Sequence, residues 1–247
     1  MIKKLGQNFL IDHQVAEREV AYAKITKDDV VLEIGPGKGI LTTKLAEKAK
    51  KVIAIEIDKQ LIEYLYKIIP QNVELINDDA LKVDFATLPT FNKIVSNLPF
   101  QISSPITFKF LEDKFDVAVL IYQKEFADRM VAKSGSKDYS RLSVSTYYRA
   151  ECKSLETVPK ALFYPQPKVD SCVIRLTPRT APPFSVTSES FFFDLTNKLF
   201  NHRRKKIKTI LCKTYRQLDK DVPYLDKRVE ELTPEQIGEL SNILFEL

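Results

Sequence analysis

One stretch restricts the fold more than any other: Val30-Val31-Leu32-Glu33-Ile34-Gly35-Pro36-Gly37-Lys38-Gly39-Ile40-Leu41-Thr42. An apolar β-type run ends in Gly-x-Gly-x-Gly, and a helical pattern from Leu41 to Ala49 begins at once. The chain has six glycines, and Gly35, Gly37 and Gly39 are three of them. Glycine between a strand and a helix lets main-chain N–H groups approach a ligand where a Cβ would clash. The helix that follows adds the positive end of its dipole. Such a turn cradles a small molecule bearing a carboxylate or phosphate. The motif alone is ambiguous, because Gly-rich turns are common and this spacing differs by one position from the dinucleotide fingerprint. The next run, Lys51 to Asp58, ends in a carboxylate about 20 residues past the first glycine, where an acid accepts from a ribose diol. A nucleoside-containing cofactor is expected.

Composition narrows the setting. Across 247 residues, hydrophobic content of 44% and charged content of 29% are those of a soluble globular chain. No apolar run approaches the roughly 20 residues that span a bilayer, and no N-terminal signal core is present. Cys152, Cys172 and Cys212 are odd in number and scattered, and His13 and His202 stand alone. Neither a disulfide framework nor a metal site is expected, and reduced thiols point to the cytoplasm. The net charge of +5 hints at a polyanionic partner.

Along the chain, a helix over 14–25 with Asp12 as N-cap precedes a regular alternation. The pattern predicts strands near 30–35, 51–57, 73–77, 93–97 and 116–122, with helices near 40–49, 59–69, 104–112 and 124–133. Ser104 and Pro105 read as the cap and first residue of their helix. The strands are near-continuous apolar runs, as in a parallel sheet covered on both faces, which predicts an open α/β fold with ligands at the carboxyl ends of the strands. A polar loop over 134–141 and a further helix follow, then β-type runs over 155–163 and 171–176, with Pro165 and Pro167 holding an extended path between them. The proline-rich segment Thr177 to Phe184 predicts a boundary, with one domain over 1–180 and an all-helical one over 185–247. No acidic residue falls between Asp194 and Asp219, a span that holds Lys198, Arg203, Arg204, Lys205, Lys206, Lys208, Lys213 and Arg216. On a helix lined with Leu199, Phe200, Ile207, Ile210 and Leu211, that charge reads as a phosphate-contacting face, against the plainer reading of a solvated surface. Thr233 is expected to cap a closing helix.

The chemistry is concentrated at Asn97-Leu98-Pro99-Phe100, at the end of the fourth strand. An exocyclic amine on a nucleobase is a poor nucleophile because its lone pair is delocalised into the ring. Two acceptors, the Asn97 side-chain oxygen and a carbonyl near Leu98 or Pro99, would take its two hydrogens and favour a pyramidal nitrogen. Proline holds that carbonyl in place beforehand. Phe100 offers a face for an extruded base, worth about 1–3 kcal/mol. Methyl transfer from a sulfonium needs alignment more than proton chemistry, in keeping with the scarcity of histidine. Asp78 and Asp79 close the third strand, and one of them is placed to accept from the amino group of a bound adenine.

Taken together these motifs resemble the small-subunit ribosomal RNA adenine N6-dimethyltransferase family, which uses S-adenosyl-L-methionine. Leu5-Gly6-Gln7-Asn8-Phe9-Leu10 resembles the family's N-terminal motif, which implies that Gln7, Asn8, Phe9 and Leu10 line the methionine end of the cofactor. Glu33 to Gly39 is similar to its cofactor loop, with Gly35 and Gly37 against the ligand. The resemblance places Glu56, beside Ile57, at the ribose and selects Asp79, beside Ala80, for the adenine. Asn97-Leu98-Pro99-Phe100 is similar to the catalytic motif, though many members carry tyrosine last, and Asn97 is also implied to touch the cofactor. Phe163 and the segment Pro165 to Ser171 match the loop whose aromatic closes over the target base. Phe200 to Lys205 resembles the start of an RNA-facing helical domain, which implies that Arg203, Arg204, Lys205 and Lys206 meet RNA. The likeness runs from residue 3 to about residue 213 and implies a Rossmann-like class I methyltransferase sheet, mostly parallel with helices on both faces. A small C-terminal helical domain is implied beside it.

The implied function is dimethylation of adjacent adenosines in a hairpin loop of small-subunit rRNA, or of a pre-ribosomal particle, by a cytoplasmic monomer active in ribosome biogenesis. Two rivals stand beside it: a large-subunit rRNA adenine methyltransferase of the antibiotic-resistance type, which shares most of these motifs, and a non-catalytic RNA-binding assembly or transcription factor on the same fold, against which intact Asn97, Glu56 and Asp79 argue. A dehydrogenase is disfavoured by the glycine spacing.

Overall fold

A computed structural model describes residues 7–212 and 222–247. Leu5 and Gly6 of the N-terminal motif, and Lys213 and Arg216 of the basic run, lie outside the described residues. The chain divides into two compact units, one formed by residues up to Ala127 together with Cys152–Pro178, the other by Asp128–Glu151 with Arg179 onward.

In the first unit, strands β2 (Val30–Ile34), β3 (Lys51–Glu56), β4 (Val73–Asn77), β5 (Lys93–Asn97) and β6 (Val117–Gln123) alternate with helices. These are α2 (Ile40–Lys48), α3 (Lys59–Leu65), α4 (Ser103–Leu111) and α5 (Lys124–Met130), while α1 (His13–Ala23) precedes them all. Two later strands, β7 (Ala150–Val158) and β9 (Ser171–Pro178), complete a seven-stranded sheet of order β4-β3-β2-β5-β6-β9-β7. Strands β2 to β6 pair in parallel, and β9 joins β6 antiparallel, with Leu120 opposite Ile174. A separate two-stranded ribbon pairs β1 (Phe9–Leu10) with β8 (Phe163–Tyr164), which ties the N-terminal segment to the 160s loop.

The apolar strands are buried on both sides because both faces are covered. Val15, Ala16, Val20 and Ala23 of α1 and Leu41 and Leu45 of α2 pack with Val31, Val52, Val95, Val119 and Ile121 on one face. The alternate residues Leu32, Ile53, Ile94 and Leu120 are equally buried on the other. There the Thr107 hydroxyl of α4 meets the Tyr122 hydroxyl of β6 at 2.6 Å. Asp12 caps α1 as expected, its carboxylate accepting from Val15 N–H at 2.9 Å.

Three details differ from expectation. Helix α4 begins at Ser103, capped by Ile102 without a side-chain bond, because a 3₁₀ turn over Phe100–Ile102 runs straight into it. Ser104 is therefore not the cap, and Pro105 sits inside the first turn, where its missing N–H has no helical partner to lose. Strand β7 starts at Ala150 rather than 155 and stops before Pro159; it is a sheet edge, so polar residues such as Glu151 and Lys153 fit there and hide the strand pattern. The boundary at 180 is also too simple, since residues 128–151 fall in the second unit.

The reason is apolar content that the polar loop conceals. Tyr139, Val144 and Tyr148 contribute to a core with Phe192, Leu195, Leu199, Ile207, Ile210, Ile237 and Leu240. These come from α6 (Arg141–Arg149), α7 (Glu189–Phe200), α8 (Ile207–Leu211) and α9 (Pro234–Phe245), with Tyr139 just ahead of α6. Thr233 caps α9 in a reciprocal capping box with Gln236. Within that core, Gly238 of α9 faces Phe184, whose ring stacks edge-on against Tyr148 and Phe192. A Cβ at position 238 would sit 2.7 Å from Phe184 Cδ2 and closer still to Cε2. Gly238→Ala is expected to lower stability by about 1–2 kcal/mol, overpacking outweighing the better helix propensity of alanine. Thermal unfolding checks this, and a raised midpoint would contradict it.

Candidate active site

Where the order of a parallel sheet reverses, the two crossovers leave in opposite directions and a crevice opens at the carboxyl ends of the strands. Here the reversal lies between β2 and β5. Only Val31 with Lys93 and Leu32 with Ile94 are in register between them. Beyond that point the buried Ser96 hydroxyl takes over, donating to Ile34 O at 2.5 Å, while Ile34 N–H donates to the Ser96 hydroxyl oxygen at 3.3 Å. The strand tips splay, and the glycine turn occupies the gap.

Gly35, Gly37 and Gly39 all have positive φ, at 71°, 57° and 81°. At Gly37 the requirement is steric as well, since a Cβ would lie 2.9 Å from the Phe9 ring. At Gly35 a Cβ would lie 3.1 Å from two Pro99 ring carbons, so the turn and the Asn-Leu-Pro-Phe motif are in van der Waals contact. Gly37 N–H donates to Glu56 Oε2 at 3.2 Å and Asp58 N–H donates to Oε1 at 3.0 Å. Glu56 is 4% exposed, and burial raises its proton affinity. Each of its oxygens keeps a second lone pair for a ligand.

One cavity gathers most of the predicted residues: Gln7, Asn8, Phe9, Gly35, Gly37, Glu56, Ile57, Asp79, Ala80, Asn97 and Pro99 all line it. Leu10 lies instead on an adjoining hollow, with Glu33, Lys38 and Asn97. Asp78 and Asp79 both line the cavity, Asp78 exposed and Asp79 half-buried. Asp79 accepts from Leu81 N–H at 3.0 Å, and Asp78 from Asp79 N–H at 2.7 Å. Gln101 and Ile102, which sequence reasoning missed, also line it; their only signal is that they follow the motif directly. Leu98 is 3% exposed, and its side chain anchors the motif in the protein interior. Asn8 Nδ2 donates to Pro165 O at 2.6 Å, which holds the N-terminal segment across the crevice.

The Glu33 carboxyl is 1% exposed, pushed up to about 8 by burial, and its Oε2 has no partner among the described residues. It lines the hollow beside Asn97. A buried acceptor without a donor is costly, and here it opens toward ligand space.

The two predicted stacking rings, Phe100 and Phe163, lie 6.4 Å apart and tilted by 59°, with Phe163 buried. Two faces flanking a base need roughly 7 Å, twice a carbon–carbon contact. As they stand the rings pack on one another, so a base enters only by parting them.

In the second unit the basic run is not one helix. It spans the end of α7, a turn over Asn201–Lys206 and the short α8. Lys206 is fixed by a β-bridge to Arg228 and by a 3.2 Å ion pair with Asp226. Arg203 departs from the sequence reading. Its guanidinium donates to Glu230 at 2.7 Å and to the carbonyls of Lys137 and Ser136 at 2.7 and 2.9 Å, tying down the polar loop. Arg204 and Lys205 are exposed. Among the described residues no metal-binding cluster is present, no helix is long and apolar enough to cross a membrane, and Cys152, Cys172 and Cys212 form no disulfide.

The chain is similar in sequence and in fold to known proteins. The description "Ribosomal RNA adenine dimethylase" belongs to a family whose sequence profile matches residues 2–246. A probable ribosomal RNA small subunit methyltransferase A from Methanosarcina acetivorans is 47% identical over 98% of this chain and 93% of its own length. The crystal structure of a dimethyladenosine transferase from Plasmodium falciparum superposes with a TM-score of 0.79 at 30% identity, covering 96% of this chain and 97% of that one. That of the 23S rRNA methyltransferase ErmE gives 0.68, also at 30% identity, over 94% and 98%. A likeness that runs over nearly the whole of both partners goes beyond a shared cofactor fold, and the chain belongs to the ribosomal RNA adenine dimethylase family.

Proposed function

We propose that this protein dimethylates N6 of adjacent adenosines in a hairpin loop of small-subunit rRNA, working as a cytoplasmic monomer during small-subunit assembly. The observation that carries the reading is the position of Asn97 at the tip of β5, on the same cavity as the glycine turn and Asp79. S-adenosyl-L-methionine is the cofactor of the family, and it supplies an electrophilic methyl group on a sulfonium.

The residues present fit that cofactor. The cradle at Gly37 is one that a Cβ would fill, and the unpartnered Glu33 Oε2 suits an amino group. Glu56 takes the ribose, Asp79 and Ala80 the adenine, Ile57 flanks it, and Gln7, Asn8, Phe9 and Leu10 close the methionine end. Asn97 Oδ1 accepts one hydrogen of the target amine. The Pro99 carbonyl already accepts from Ile102 N–H at 3.1 Å, which favours the Leu98 carbonyl as the second acceptor. Phe100 and Phe163 part to admit the base. No side chain placed to take a proton is required, because the nitrogen becomes acidic only once alkylated.

The relative from Methanosarcina acetivorans supports the small-subunit target over the large-subunit one, being closer in sequence than the 23S enzyme. The free thiols suit a reducing compartment. Arg204, Lys205 and Lys206 are the proposed phosphate contacts, while Arg203 organises the loop beside them.

Asn97→Ala is expected to lose methyl transfer by 100-fold or more while retaining RNA binding, measured by tritium transfer and an RNA-binding titration. Methylation of isolated small-subunit particles but not large-subunit ones supports the target, and the reverse preference overturns it. Gly37→Ala is expected to weaken cofactor binding about tenfold or more, since the left-handed backbone alone costs roughly 1–2 kcal/mol with a side chain. The double variant Arg204→Gln, Lys205→Gln should lower RNA affinity and reduce the slope of log affinity against log salt by about 1–2, with cofactor affinity unchanged.

A further inference from the structure

Helix α1 presents Val15, Ala16, Val20 and Ala23 to the sheet, and Glu19 falls in the middle of that apolar face. It is 0% exposed. A carboxyl placed where a leucine would pack is a costly choice unless it does something there. What it meets is the terminal amide of Asn97, one atom of which stands 2.9 and 3.1 Å from the two Glu19 oxygens. With Glu19 ionised, and so only an acceptor, that atom is the Asn97 nitrogen and Oδ1 takes the opposite side.

We infer that Glu19 is a positioning residue for methyl transfer, a buried acceptor that sets the polarity of the Asn97 amide so that its oxygen faces the amine. The inference rests on the reading of Asn97 given above. An amide has a donor end and an acceptor end of nearly the same shape, and an apolar surround would let it present either. With the NH₂ end outward, Asn97 would offer hydrogens to an amine that itself needs acceptors. Glu19 removes that alternative.

The surroundings show why the group would be sensitive to its own ionisation. Burial raises the Glu19 proton affinity most, and the neighbouring carboxyls of Glu33 on β2 and Glu156 on β7 add to it. Arg18, whose charge opposes that rise, is turned to Glu156, donating to its oxygens at 3.1 and 3.0 Å, and Tyr22 donates to the same carboxylate at 3.2 Å. Among the described residues, the donor that faces Glu19 is therefore the Asn97 amide. Once protonated, its hydroxyl can donate to Asn97 Oδ1 and hold the amide the wrong way round. The lock works in the ionised form, so turnover should rise with pH as Glu19 loses its proton, above the ordinary carboxylate range.

The experiment compares wild type, Glu19→Leu, Glu19→Gln, Glu33→Gln and Asn97→Ala on the rRNA substrate, with kcat, KM, cofactor calorimetry and thermal melts for each. Glu19→Leu is expected to melt at or above the wild-type temperature, bind S-adenosylmethionine normally and lose about 10- to 100-fold in kcat. Stability kept while turnover falls is an outcome that a packing role would not produce. Glu19→Gln, isosteric and uncharged, should lose the acidic limb of the kcat profile. Glu33→Gln should keep that limb and move it to lower pH, because a like charge has gone. Wild-type kcat and an unchanged pH profile in both Glu19 variants would overturn the inference alone, as would a limb that follows Glu33 rather than Glu19. Full activity in Asn97→Ala would overturn it together with the reading on which it rests.

Discussion

The crevice between β2 and β5 is the constraint on which the rest of the site depends. Parallel strands whose helices depart to opposite faces cannot stay paired to their tips, and here pairing stops after Leu32 and Ile94. The Ser96 hydroxyl closes the buried part of the gap, and above it the chain must turn sharply with its main chain exposed to a ligand. That is why three left-handed glycines sit there and why Pro99 packs directly on one of them. The glycine turn and the Asn-Leu-Pro-Phe motif are neighbours because one splayed strand pair makes both.

Electrostatically the floor of this crevice is unusual. Glu19, Glu33 and Glu56 are all buried in the same unit, and burial raises the proton affinity of each. Only Glu56 is well supplied with main-chain donors. Such a floor favours a ligand that brings positive charge and N–H groups, and disfavours a phosphate, which separates this glycine turn from those that cradle dinucleotides. Glu19 meets the Asn97 amide and Glu33 lines a hollow with it, so the surroundings of Asn97 are rich in acceptors.

The second unit shows how easily a charge run is misread. Arg203 lies among consecutive basic residues, yet its guanidinium is turned inward to Glu230 and to two loop carbonyls. Arginine has donors in a fixed fork that suits several acceptors at once, so it organises a loop as readily as it binds phosphate. Its neighbours Arg204 and Lys205 face solvent. The 134–141 loop, polar in sequence, carries Tyr139 into the helical core.

Much of the first unit was legible in the chain itself. Continuous apolar runs, a glycine turn and helical periodicity gave β2 to β6 and their helices to within a few residues, because both faces of a parallel sheet must be apolar. The edge strand β7 and the start of α4 were not, since an edge tolerates polar residues and a 3₁₀ turn shifts a helix start without any compositional sign. What the residues determined alone was local: a nucleotide-type turn, an amide–proline–aromatic motif and a row of strand ends. That Phe9 fills the space above Gly37, that Phe100 and Phe163 begin in contact, and that a carboxyl from the first helix reaches Asn97 were decided only by tertiary structure. Those pairings join segments up to 78 positions apart, and no periodicity within either segment encodes what the other will place against it.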